Sequence, residues 1–116
     1  MKFLKNCIKN MDYKVYISEQ AYKDLAGIFE YVTNELKSID NAKSLINSLE
    51  ENIYSLNFMP FRFAKYDINS KDGNDLRMIP VGNFLILYIP KESDLTVNIV
   101  RVIYSRMDVN SILNDI

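Results

Sequence analysis

The sequence has 116 residues, 48% of them hydrophobic and 25% charged, with a formal net charge of −1. A single domain of this length can bury an apolar core, and the near-neutral charge argues against broad, non-specific affinity for nucleic acid. The chain has no histidine and one cysteine, which excludes serine–histidine catalysis, the usual zinc ligands and an internal disulfide. This cysteine usage is typical of a reducing, cytoplasmic setting, and no apolar run approaches the length of a membrane span.

Residues 1–11 are interpreted as a loose N-terminal extension, and residues 12–116 as a single domain. The extension is basic, but Lys5, Asn6 and Lys9 interrupt its apolar residues, whereas a signal peptide needs an unbroken apolar core. Met11 is an alternative start of translation. The rest of the chain contains no internal repeat and no domain linker.

One strand and two helices are predicted before residue 60. Residues 13–18 alternate and are rich in β-formers, so they predict a first strand, and Ser18 then suits the N-cap of a helix. Apolar residues recur at spacings of three and four through Leu36, which traces one helix face. After a short break at residues 37–40, Asp40 is expected to cap a second helix that Pro60 ends. A break this short predicts an antiparallel helical hairpin.

Three strands are predicted between Asp75 and Tyr104. The middle one, residues 84–89, is apolar along its whole length, as is typical of a strand that is covered on both faces. Gly82 and Asn83 precede it and suit the positive φ angles of a two-residue hairpin turn. The order β-α-α-β-β-β predicts an α+β fold in which the helices cover one face of a mainly antiparallel sheet, with its last three strands forming a meander.

Charge is distributed unevenly along the chain. Residues 13–59 hold four lysines and seven acids, a net charge of −3, whereas residues 60–106 hold seven basic and five acidic residues, a net charge of +2. The second half therefore has enough positive charge for a local basic face. No cluster of carboxylates has the spacing of metal ligands, so no metal and no cofactor are expected.

Four stretches of the chain carry a family resemblance through their order and spacing. They are residues 13–18 with the nearby Ala21 and Asp24-Leu25, residues 56–62, residues 76–88, and residues 99–108. Together they resemble the RelE/ParE superfamily of bacterial toxins, which belong to type II toxin–antitoxin modules. The resemblance extends over residues 12–113.

The resemblance implies a growth-inhibiting toxin that a cognate antitoxin protein holds inactive. RelE-like members cut mRNA in the ribosome without a metal, and ParE-like members inhibit DNA gyrase. The expected target in the cytoplasm is therefore either DNA gyrase or the ribosome with its mRNA. Such a toxin would act in growth inhibition or plasmid stabilisation, and no membrane partner is expected. If the chain is an enzyme, the resemblance implies a metal-independent mRNA endoribonuclease.

The family's functional residues transfer only in part. Endonuclease members often have an arginine directly after the aromatic residue that opens the central strand, but here Leu85 follows Phe84. The C-terminal catalytic tyrosine of some endonucleases would fall near Ile112 and has no match. The ParE-like ending, an arginine on the strand followed by a basic residue and an aspartate, is matched better, and Tyr104 stands where such members often have histidine. The matching residues are Arg101, Arg106 and Asp108.

Seven residues form the candidate site. Cleavage of RNA through its 2′-OH puts extra negative charge on the phosphate, and guanidinium groups stabilise that charge because they stay protonated at any working pH. A tyrosine can orient the 2′-OH or stack on a base. The candidate catalytic residues are Arg77, Arg101, Tyr104 and Arg106. The candidate nucleic-acid contacts are Lys65, Lys71 and Tyr88.

Each candidate also has a purely structural interpretation. The arginines can form surface ion pairs with Asp75, Asp94 or Asp108, and such pairs contribute little. Tyr88 ends an apolar strand and can belong to the core, and the two lysines can lie on a solvated loop. The alternative function is accordingly a catalytically silent domain that binds a partner protein. Arginines paired with acids would favour this alternative, and a basic cluster on the exposed sheet face would favour the enzyme.

The antitoxin partner has a physical basis in the predicted meander. A meander ends in an open strand edge, and such edges invite the addition of a strand from another chain. Phe61, Phe63 and Tyr66 in the long connection after the second helix are expected to form an apolar patch beside that edge.

Overall fold

The computed structural model of the chain describes residues 12–35, 37–63 and 75–105. The element order is that of the sequence prediction, and the interpretation of residues 1–11 as an extension lies outside the described residues. The strands are β1 (Lys14–Ile17), β2 (Arg77–Val81), β3 (Phe84–Lys91) and β4 (Thr96–Tyr104). The helices are α1 (Glu19–Glu35) and α2 (Ile39–Tyr54), and two 3₁₀ turns follow at Ser55–Asn57 and Pro60–Arg62.

The four strands form one sheet in the order β1-β4-β3-β2. β3 is antiparallel to both β2 and β4, so the predicted meander is confirmed, and the turn at Gly82 has the positive φ, 58°, that a two-residue hairpin needs. β1 pairs in parallel with β4, from Lys14 opposite Thr96 to Ile17 opposite Ile99. The sheet is therefore mixed, with β1 and β2 at its two edges.

A β-bulge in β4 anchors the start of α1. Tyr88 pairs with Ile99 and Leu87 pairs with Arg101, so Val100 has no partner across the β3–β4 ladder. The Ser18 hydroxyl donates to the Val100 carbonyl at 3.0 Å, and the same oxygen accepts the amide of Ala21 at 3.0 Å. The predicted N-cap at Ser18 is thus confirmed, and it also joins the helix to the strand that carries the bulge.

Both predicted ends of the second helix are wrong by a few residues. Its cap is Ser38, not Asp40, because the Ser38 hydroxyl oxygen accepts the amide of Asn41 at 3.2 Å, and Asp40 lies in the first turn. The α-helix ends at Tyr54, six residues before Pro60, and continues as the first 3₁₀ turn. Pro60 begins the second 3₁₀ turn, where its fixed φ and missing N–H are tolerated.

The core lies between the helices and one face of the sheet. The side chain of Tyr88 is fully buried there, and its hydroxyl donates to the Pro60 carbonyl at 2.7 Å. Burial raises the pKa of Tyr88 to about 12, although the nearby Arg77 and Arg62 act in the opposite direction. The other fully or nearly buried core residues come from both helices, the first 3₁₀ turn and the last three strands. They include Ala21, Leu25, Leu49, Ile53, Leu56, Ile79, Ile86, Val97, Ile99 and Val102.

We expect stability to fall at high pH because Tyr88 is held protonated in the folded state. An unfolded tyrosine loses its proton near pH 10, whereas the folded pKa is about 12. The stabilising contribution is therefore complete below pH 10 and is lost between pH 10 and 12, at up to about 1.4 kcal/mol per pH unit. Urea unfolding from pH 8 to 11.5 measures this slope. Tyr88→Phe should flatten it while lowering stability by about 1 kcal/mol at pH 8, since the Pro60 carbonyl loses its donor. An equally steep slope in Tyr88→Phe would assign the titration to other groups.

Gly27 lies in the middle of α1, and a Cβ added there would meet no atom within 4 Å. Glycine destabilises a helix interior by about 0.5–1 kcal/mol relative to alanine. We expect Gly27→Ala to raise the free energy of unfolding by that amount, measured by urea or thermal unfolding. Ser44→Ala, at an exposed position of α2, is the matched control and should give a smaller rise. A destabilised Gly27→Ala would show that the added methyl group is not accommodated.

Candidate functional site

Arg101 of β4 is bound to Asp24 of α1 by a bidentate ion pair. Its Nε donates to Asp24 Oδ2 at 2.8 Å and its Nη2 to Asp24 Oδ1 at 3.0 Å. The same carboxylate accepts the amide of Val102 at 3.0 Å and the side-chain amide of Gln20 at 3.4 Å. Only 18% of the Arg101 side chain and 11% of the Asp24 side chain are exposed. This pair is more than a surface contact, because both charges are largely removed from water.

The local sequence explains why these two groups meet. Asp24 lies three residues after Ala21 and four before Ile28, so the helix repeat places it beside the apolar stripe rather than on the solvated face. Arg101 directly follows the unpaired Val100 at the bulge, whose carbonyl binds Ser18 at the start of α1. The acids expected from the sequence to pair with the arginines were Asp75, Asp94 and Asp108. The position of Asp24 on the apolar side of a helix was the signal that could have found the pair.

Arg77, the first residue of β2, binds the segment that follows α2. Its Nη1 donates to the carbonyls of Phe61, at 2.8 Å, and Phe63, and its Nη2 forms an ion pair with Asp75 Oδ2 at 3.0 Å. The guanidinium carbon also lies 5.0 Å from the centroid of the Phe61 ring. Only 13% of the side chain is exposed. The ion pair with Asp75 agrees with the structural interpretation of this arginine.

Tyr104 and Tyr88 have opposite environments. Tyr104 ends β4 with 37% of its surface exposed, and its ring meets Phe84 edge to face at 5.6 Å between centroids. Tyr88 has no exposed surface, so no base can stack on it, and the core interpretation fits this residue. Arg106, Lys65 and Lys71 lie outside the described residues. Of the four predicted site residues that the structure describes, Arg77 and Arg101 are engaged inside the fold, Tyr88 is buried, and Tyr104 is accessible.

A cavity of about 480 Å³ opens beside Tyr104, between α1 and the adjoining ends of β3 and β4. Its walls include Ile28, Tyr31 and Phe84, and the Asp24–Arg101 pair also borders it. Tyr31, for which the sequence predicted no role, is 62% exposed. Among the described residues, no three side chains of metal-ligating type come together, and no helix is long and apolar enough to cross a membrane.

Comparison with solved structures shows the same fold in toxin–antitoxin proteins. A structure of the chromosomal ParDE system from P. aeruginosa superimposes with a TM-score of 0.66 at 14% identity, covering 81% of this chain and 97% of that chain. The archaeal RelE–RelB complex from Pyrococcus horikoshii OT3 gives a TM-score of 0.60 at 17% identity, with coverages of 84% and 99%. The RelBE2 complex from Mycobacterium tuberculosis gives 0.58 at 19% identity, with coverages of 80% and 91%.

Comparison by sequence identifies the family. No curated protein matches the chain. Residues 15–109 match the family model described as the ParE toxin of the type II toxin–antitoxin system parDE. This match spans most of the chain, including both helices and the whole sheet except for the first residue of β1. The chain belongs to the ParE toxin family of type II toxin–antitoxin systems, within the RelE/ParE superfamily.

Proposed function

We propose that the protein arrests bacterial growth by binding and inhibiting DNA gyrase in the cytoplasm, and that a cognate antitoxin neutralises it. The observation that carries this proposal is the engagement of Arg77 and Arg101 inside the fold. A toxin that acts by binding a protein needs no guanidinium group at a scissile phosphate. A ribonuclease that used Arg77 and Arg101 would need both guanidinium groups at the scissile phosphate.

The contacts of the two arginines argue against phosphate chemistry. For Arg101 to reach a phosphate it would have to leave Asp24, whose carboxylate is only 11% exposed. Breaking such a pair leaves a buried charge without its partner, which is strongly destabilising. Arg77 would have to release two backbone carbonyls, the Phe61 ring and Asp75. This pairing of arginines with acids is the arrangement expected of a protein-binding domain.

Ribosome-dependent mRNA cleavage is the second candidate, and the exposure of Tyr104 favours it. In that mechanism Tyr104 would orient the 2′-OH, and Arg106 would stabilise the charge on the phosphate. Lys65 and Lys71 would contact the RNA backbone. These roles stay predictions. A catalytically silent protein-binding domain is the third candidate function. Growth measurements distinguish it from gyrase inhibition and mRNA cleavage, because a silent domain does not arrest growth.

The β2 edge supports the proposal of an antitoxin partner. Among the described strands, β2 pairs only with β3 and lies at the edge of the sheet, and an open edge of this kind accepts a strand from another chain. Arg77 at the start of β2 binds the carbonyl of Phe61, which is 37% exposed, so an apolar residue near this edge supports the proposal. Tyr66, also expected there, lies outside the described residues. We propose that an antitoxin strand adds at β2 and that an adjoining apolar residue covers Phe61.

Inducible expression in bacteria tests the proposed function. Growth, mRNA 5′ ends and plasmid supercoiling are followed together for the wild type and for a variant combining Tyr104→Phe with Arg106→Ala. We expect wild-type expression to stop growth with altered supercoiling and intact mRNA, because the chain blocks gyrase and does not cut RNA. New in-frame mRNA ends that disappear in the double variant would establish the ribonuclease instead.

Two controls complete that experiment. Coexpression of the antitoxin from the neighbouring gene should restore growth. Normal growth of cells that make the chain alone, folded and soluble, would contradict toxicity and favour the catalytically silent domain.

The Asp24–Arg101 pair should behave as a structural element rather than a catalytic one. We expect Asp24→Asn and Arg101→Gln each to lower the free energy of unfolding by about 2–4 kcal/mol, because each leaves a largely buried partner unsatisfied. The double variant should lose less than the sum of the two, since neither charge is then left alone. Urea unfolding of the four proteins measures this coupling. Additive losses would show that the pair contributes nothing beyond its separate side chains. Only in that case would reduced toxicity of an Arg101 variant indicate a catalytic role for Arg101.

A further inference from the structure

A groove on the outer side of α1 has no role in the architecture described so far. The 480 Å³ cavity beside Tyr104 adjoins a second one of about 370 Å³, and Gly27 and Tyr31 line both. The second cavity continues along α1 toward Glu30 and Glu35. We call the two cavities together the α1 groove. It has an apolar, aromatic end at Phe84 and Tyr104 and an acidic end near the C-terminus of α1.

Gly27 is the first sign that another molecule approaches this groove closely. The fold itself does not require a glycine there, because nothing lies within 4 Å of the position that a Cβ would occupy. A helix interior is nevertheless less stable with glycine than with alanine. The distance between two packed helices depends on the side chains at their contact. A glycine at the contact therefore lets a second helix pack closer to α1. The glycine therefore suits a bound helix better than the isolated fold.

The aromatic end has the composition of a protein-binding surface. Tyr31 is 62% exposed and Tyr104 is 37% exposed, and the edge-to-face contact with Phe84 holds the Tyr104 ring in place. Tyrosines of this kind often dominate the energetics of protein interfaces, because they bring a large contact area with few rotatable bonds. Three charged groups border the cavity: Asp24 and Arg101 already satisfy each other, and Lys23 is paired with Glu19. An apolar side chain can therefore enter the cavity without leaving the Asp24–Arg101 pair with unsatisfied hydrogen-bonding groups.

The acidic end determines the charge of what binds. Glu30 and Glu35 form no ion pair within the part of the chain that the structure describes, whereas Glu19 is paired with Lys23 at 3.6 Å. The helical half as a whole is acidic, since residues 13–59 carry a net charge of −3. Such a surface repels a nucleic-acid backbone and attracts basic side chains.

We propose that the α1 groove receives a basic amphipathic helix from the protein that this toxin inhibits. Apolar side chains at successive turns of that helix would enter the cavity between Tyr31 and Tyr104, its backbone would cross α1 at Gly27, and its basic side chains would face Glu30 and Glu35. This inference rests on the proposed function. It assigns the target to a surface other than the antitoxin's edge, because α1, β3 and β4 line the groove and β2 does not.

The test compares variants of the groove with matched variants elsewhere on the helices. Inducer is titrated for wild type, Gly27→Ala, Tyr31→Ala and Glu35→Lys, with Ser44→Ala and Glu51→Lys on exposed positions of α2 as controls for helix propensity and charge. We expect each groove variant to need about tenfold more protein than wild type to stop growth, the loss typical of an interface anchor. The two controls should match wild type. Thermal unfolding of purified Gly27→Ala should show no loss of stability, which excludes misfolding as the cause.

Two further measurements decide between partners. Binding of the coexpressed antitoxin should be equal for wild type and Gly27→Ala, and inhibition of purified gyrase should weaken in parallel with growth arrest. Groove variants as toxic as wild type would overturn the proposal, and so would lost antitoxin binding with undiminished toxicity, which would give the groove to the antitoxin. Growth arrest without any effect on gyrase would refute gyrase as the target. The groove proposal would then be decided by whether the groove variants arrest growth less than wild type. A wild type that does not arrest growth would overturn both proposals.

Discussion

The attachment of α1 to β4 is the contact on which the rest of the structure depends. The Asp24 carboxylate binds the guanidinium of Arg101 and the amide of Val102, and six residues earlier Ser18 binds the carbonyl of Val100. These bonds fix the angle and height of the helix over the sheet, which hydrophobic packing alone determines poorly because it has no direction. The bulge in β4 makes them possible, since it frees one backbone carbonyl from the β3–β4 ladder.

Three arginines of the second half bind groups within the fold. Arg101 joins a helix to the sheet, Arg77 joins β2 to the segment after α2, and Arg62 caps the carbonyls of that same segment, including Met59 at 3.1 Å. A planar group with five donors suits all three tasks, because it can satisfy several carbonyls at once. Part of the positive charge in this half of the sequence is thus bound by carbonyl and carboxylate groups within the fold.

Local patterns in the sequence predicted local structure well. The limits of β4, the turn at Gly82 and the cap at Ser18 all follow from residues close in sequence, and they agree with the structure. The cap of α2 was misassigned because Ser38 and Asp40 are both good capping residues, and only geometry decides between them. The parallel pairing of β1 with β4 joins residues from opposite halves of the chain, and no local pattern predicts it. The pairing of Asp24 with Arg101 is equally long in range, and the position of Asp24 beside the apolar stripe of its helix was the only signal for it. The candidate site depends on contacts of the same kind. Whether an arginine faces a substrate or an internal acid depends on contacts that spacing alone does not encode.

The parallel pairing of β1 with β4 has a consequence for how the protein is made. Ser18 and Val100, which join these two elements, are 82 residues apart. On the ribosome, β1 and both helices emerge long before the strand that completes their core, and until then their apolar faces have nothing from β4 to pack against. Contacts of such long range form slowly, and the incomplete state is prone to aggregation. The order of synthesis therefore delays the finished fold until β4 has emerged. During that interval, a molecule that covers the exposed helical hairpin would act as a folding partner for the nascent chain.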